Sequence, residues 1–160
     1  MITPTLQFLE TQLNSFLQNN FKLNETVALL SPIIERDGTS PEQSDSKVFI
    51  SLLHVDPFSN SQANNLPGNR QHDAQTNINM TIMVSTNFRH YVEGLKFLDA
   101  VITFFRDNAV FDRSAYPSLP TDVNNIRMTT QSLSLQETQD LWRAIGVTYQ
   151  PSMVYRVSGS

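Results

Sequence analysis

Between residues 78 and 105 the hydrophobic period changes from two to about 3.6 within a few positions, and this change constrains the fold more than any other feature of the chain. Ile78, Met80, Ile82 and Val84 alternate with Asn79, Thr81 and Met83, which predicts a strand with one apolar face. Tyr91, Leu95, Leu98, Ile102 and Phe105 then recur at spacings of three and four, with Asn87 placed to cap the helix they predict. Val92, Val101 and Phe104 widen this stripe. A stripe so broad predicts a helix lying on a sheet, with Tyr91 to Phe105 turned inward.

The flanking segments supply further elements. Leu6, Leu9, Leu13, Phe16 and Leu17 predict an N-terminal helix with Thr3 as cap and Pro4 at its first position, ended by the asparagine-rich 19–24 segment. Residues 27–30 predict a short strand stopped by Pro32, and Asp37-Gly38 a turn. Residues 48–55 are apolar on both sides in places, which predicts a centrally placed strand. Residues 56–76, with Pro57, Pro67 and Gly68 among asparagines, glutamines and serines, read as a long polar loop. The 111–125 region, with Pro117 and Pro120, also reads as loop, and 126–135 as a strand. Ser134 and Glu137 have the offset of a capping box, opening a helix that carries Leu141, Trp142 and Ile145 and stops at Gly146. A last strand is expected at 153–157. This order of elements predicts a single domain over residues 1–160 of α/β (α+β) class, a mixed sheet flanked by helices.

Composition removes several kinds of chemistry. The 160-residue chain contains no cysteine, which excludes disulfides, thiolate nucleophiles and cysteine-ligated metal. A formal charge of -4 argues against a nucleic-acid partner. Charged residues make up only 16%, which suits broad subunit contacts as well as an ordinary polar surface. No apolar run approaches the roughly 18 residues of a membrane span, so no membrane insertion is expected. The opening residues lack the pattern of an export signal, and the expected address at synthesis is the cytoplasm.

Candidate reactive residues find no supporting pattern. His54 near Asp56, His72 beside Asp73 and His90 near Glu93 lack a compact metal-ligand spacing. Asp99 and Asp107 lie two helical turns apart, which does not specify a carboxylate pair across a cleft. The segment from Asn65 to Arg70 has one glycine and cannot curve as a phosphate loop does. Arg143 and Arg156 flank Trp142, Tyr149 and Tyr155 without the wider basic surface that nucleic-acid stacking needs. Ser152 has no glycine elbow. No catalytic, cofactor-binding or metal-ligating residue, and no cofactor, is expected.

The segments 48–55, 78–88, 91–98, 101–105 and 141–156, taken in order, resemble the N-terminal domain family of the cap, or tail-terminator, protein of contractile injection systems of the virulence-cassette and antifeeding-prophage type. The ending carries the most specific part: Leu141 and Trp142, Gly146, Tyr149, Pro151 and Ser152, then Tyr155 and Arg156. The middle match is Asn87, Phe88, Tyr91 and Leu95, followed by the Phe104-Phe105 pair. The polar loop over 59–76 departs from the family pattern.

The resemblance implies a phage tail-terminator fold and a structural, non-enzymatic role, with these residues stabilising the fold or forming interfaces. It implies a ring of identical subunits, a hexamer by the symmetry of such machines, at the particle end distal to the baseplate. Its partners there would be the terminal inner-tube ring and the terminal sheath subunits. An adaptor or other structural subunit of a phage-tail-like particle is the alternative. The strands at 126–133 and 153–157 are the candidate edges for an extended arm of a sheath subunit.

Overall fold

Leu6, Leu9, Leu13 and Leu17 form the buried stripe of the first helix, α1 (Ile2–Phe21). The computed structural model describes residues 1–41, 45–56 and 77–160. After α1 come β1 (Ala28–Leu30), β2 (Lys47–Val55), β3 (Ile78–Asn87), α2 (Tyr91–Asp107), β4 (Val110–Asp112), β5 (Asn125–Thr130), α3 (Leu135–Ile145) and β6 (Ser152–Gly159). All of the polar loop expected at 56–76 except position 56 lies outside the described residues.

The six strands form one mixed sheet in the order β1-β2-β3-β6-β5-β4. Only β1 and β2 run parallel. The alternation that opened the sequence argument is realised on β3, where Ile78, Met80, Ile82 and Val84 join the main core under α1 and α2. On the other face Met83 packs with Val154 and Trp142 beneath α3.

The helix α1 reaches both outer strands. Asn14 Oδ1 accepts from the N–H groups of Val27 and Ala28 at 2.8 and 3.0 Å, and Glu10 Oε2 accepts from that of Leu30. Phe8 meets Phe111 of β4 edge-on with ring centroids 5.4 Å apart. One helix can touch both outermost strands only if the sheet curls around it. The side chains of α1 thus occupy the outward donors of β1, which closes that edge to another strand.

Four expectations need correction. Met1, not Thr3, is the N-cap of α1, and it makes no side-chain capping bond. Pro4 sits within the first turn, where no N–H is required. Asn87 ends β3 instead of capping α2, whose N-cap is His90. The inward face of α2 is Gly94, Phe97, Ala100, Val101, Phe104 and Phe105, whereas Tyr91, Val92 and Leu95 are exposed and Leu98 and Ile102 half-buried. The helix has apolar residues on adjoining strips, and the aromatic strip wins because Phe16 and Phe21 of α1 stack on Phe104 and Phe97 at 4.9 and 4.0 Å. Finally, the region read as loop over 111–125 begins with residues of β4, a strand too short to leave a periodic signal.

Candidate assembly surface

The helix α3 is built as its residues predict. Ser134 Oγ accepts from the N–H of Glu137, and Glu137 Oε1 accepts from the N–H of Ser134, both at 3.1 Å. Gly146 ends the helix at φ 88°, a left-handed conformation that strains a side-chain-bearing residue. Between these ends Trp142, only 3% exposed, anchors the helix to Met83 and Val154, with Leu141 and Ile145 packed alongside. Tyr149 meets its ring edge-on at 5.6 Å.

The chain then returns to the sheet through Pro151, which is buried and lies just before the ladder, where its missing N–H costs nothing. Its carbonyl accepts from Thr86 N and Thr86 Oγ1 at 3.0 and 3.3 Å, tying the start of β6 to the end of β3. Ser152, half-buried, pairs in register with Ser85. Tyr155 points into the main core against Phe105, ring centroids 4.9 Å apart, and burial pushes its phenol up to about 12. Arg156, on the opposite face, is exposed and donates from Nε to Asn79 Oδ1 at 3.1 Å.

The fourteen motif positions therefore divide by location. Phe88, Phe104, Phe105 and Tyr155 belong to the core between the sheet and α2. Leu141, Trp142, Gly146, Pro151 and Ser152 fix α3 and the start of β6, and Asn87 is the half-buried last residue of β3. Tyr91 and Leu95, 66% and 37% exposed, lie on α2 on one side of the sheet. Tyr149 and Arg156 are exposed on the other side. The sequence motif does not converge on one cleft. It marks a framework with separate exposed points.

His54 and His90 are exposed and lie on different elements, while His72 lies outside the described residues. Among the described residues no group of three His, Asp or Glu side chains is placed to hold a metal ion. The carboxylates whose ionisation is shifted serve turns: Thr39 donates to Asp37 and Ser114 to Asp112, and each bond lowers the acid's pKa. Among the described residues no helix is long and apolar enough to cross a membrane.

Of the two edges expected to receive a partner strand, 153–157 is ruled out. β6 lies between β3 and β5, and these two antiparallel neighbours pair both of its sides. β5 is enclosed only along part of its length. Local periodicity missed two features: the sealing of β1 by Glu10 and Asn14, and an apolar groove of about 540 Å³ lined by Ile2, Leu6, Leu30, Leu52 and Ile145. Both join residues far apart in the chain, so no local signal could have revealed them.

The family model described as the Pvc16 N-terminal domain matches residues 5–159. The fold is similar to the sheath/tube terminator, in its extended state, of the extracellular contractile injection system PVC, with TM-score 0.67, 16% identity, and coverage of 99% of this chain and 55% of that one. It is also similar to the tube-terminating cap of the anti-feeding prophage, with TM-score 0.57, 13% identity, and coverage of 94% and 52%. The chain thus spans about half the length of these solved proteins. No curated protein sequence matches it significantly.

Proposed function

The chain belongs to the Pvc16 N-terminal domain family, and we propose from that membership that it is a structural cap of a contractile injection system, closing the baseplate-distal end of the inner tube and sheath. The observation that carries this reading is the similarity of the fold, over 99% of the chain, to a sheath/tube terminator. In this reading the protein is made in the cytoplasm and acts at the distal end of the assembled particle. It forms a ring of six subunits on the last tube ring and joins the terminal sheath subunits.

A cap needs surfaces that match a growing end without recreating it. A ring meets that need, because a heterologous interface that closes on itself leaves no free end, whereas one that does not close makes a filament. The sealed β1 edge fits this role, since its outward donors are already taken by Asn14 and Glu10 and give an incoming strand no template.

The test is the length distribution, by negative-stain microscopy, of particles assembled from co-expressed tube, sheath and baseplate with and without this protein. Frayed ends and altered lengths in its absence are expected. Unchanged lengths with intact ends would refute the reading.

A further inference from the structure

We infer that the outer edge of β5 at Thr130, with the cleft beside it under α3, is a docking site where an extended segment of a partner protein adds as a strand. The inference rests on the assembly role proposed above.

The register sets which way Thr130 faces. Gln131 N–H donates to Val154 O at 2.8 Å, so the residues of β5 that bond to β6 are the odd-numbered ones. Thr130 lies opposite Tyr155 in a non-bonded pair, and its N–H and C=O point away from β6. On that outer side β4 pairs only with residues 125–127, and the last tie is Met128 N to Ala109 O at 2.7 Å. Thr130 is exposed and, among the described residues, no strand continues beside it.

A second observation lies next to this edge. A cleft of about 260 Å³ is lined by Thr130, Ser132, Leu133, Trp142 and Ser152, enough for one medium side chain. The indole N–H of Trp142 is one of two buried side-chain polar atoms without a hydrogen-bond partner among the described residues. A main-chain carbonyl would satisfy it. An open strand edge, a cleft that sets Leu133 and Trp142 beside the hydroxyls of Thr130, Ser132 and Ser152, and an unmatched donor together describe an extended polypeptide that places one side chain in the cleft.

A second copy of this chain is a poorer donor of such a strand. Among its described strands, β1 is sealed, β6 enclosed, β4 three residues long, and β2 bulged between Leu52 and His54.

The test uses Thr130→Pro, which removes the outward N–H, and Thr130→Val, which keeps it. The fold makes no use of that N–H, so both variants should match the wild type in circular dichroism and melting. Co-expressed with tube and sheath, Thr130→Pro should enter particles at least tenfold less than the wild type, and Thr130→Val about as well. Hydrogen exchange on the wild type supplies a readout independent of the variants: the Thr130 amide should exchange at least tenfold more slowly in particles than in the free chain. Equal incorporation of Thr130→Pro, or an unchanged Thr130 exchange rate in particles, would overturn the inference and leave the cap reading standing. A wild-type chain that never enters particles would refute the cap reading, and the inference with it. An oligomer of the isolated chain dissolved by Thr130→Pro would assign the edge to a second copy and overturn the choice of occupant.

Discussion

Truncating Phe104 tests the orientation of α2 on the sheet. The side chain is 6% exposed and touches Phe16, Phe105 and Phe111, with ring centroids 4.9, 5.0 and 6.2 Å away. A buried Phe→Ala change costs about 3–5 kcal/mol, and three aromatic neighbours place Phe104→Ala in the upper half, about 4–5 kcal/mol. For a domain of this size each kcal/mol lowers Tm by about 2–4 °C, so the melt should fall by roughly 8–20 °C. Leu95→Ala serves as the control. That side chain is 37% exposed, and its loss should cost under about 1 kcal/mol. Urea unfolding of both variants, with unchanged m-values, measures the difference. If Leu95→Ala cost as much as Phe104→Ala, the helix would be rotated by about one residue, or 100°, from the packing described here.

Asn14→Ala should cost about 2–4 kcal/mol in urea unfolding, because it strips the acceptor from two buried N–H groups at Val27 and Ala28, while Asn14→Asp, which keeps an acceptor oxygen, should lose less. At α3, Ser134→Ala should cost about 0.5–2 kcal/mol through loss of the capping box. Gly146→Ala should cost about 1–2 kcal/mol, a purely backbone effect, since an added Cβ would meet nothing within 4 Å. Tyr155 holds its proton more tightly folded, at about 12, than unfolded, near 10. Its contribution is therefore complete below about pH 10 and lost as pH rises through about 12. Tyr155→Phe should flatten that part of the curve of stability against pH, measured by urea midpoints across the range.

The parts of the fold legible in the sequence are those set by neighbouring residues. Ser134, Glu137 and Gly146 define both ends of α3 through local bonds and one backbone conformation, and all three behave as their spacing predicts. The alternation on β3 fixes which face meets the core, because a slip of one residue would bury Asn79 and Thr81 instead. The rotation of α2 was not legible, because Leu95, Leu98 and Ile102 are as apolar as Phe97, Val101 and Phe104. Only the phenylalanines of α1, some eighty residues earlier, decide between them. Strand order was hidden for the same reason. That β6 falls between β3 and β5 depends on pairings across the whole chain, and the expectation of a free edge at 153–157 failed there. Of the candidate surface, the anchors Trp142 and Pro151 were visible as residue types at telling positions. The open edge at Thr130 depends on where β4 stops.

Cryo-electron microscopy of particles assembled with and without this protein tests the central claim most directly, because it locates the chain. The account predicts a sixfold ring of this fold at the end opposite the baseplate, in contact with the last tube and sheath rings, and no such density in its absence. Density at the baseplate, or two ends that look the same with and without the protein, would contradict it.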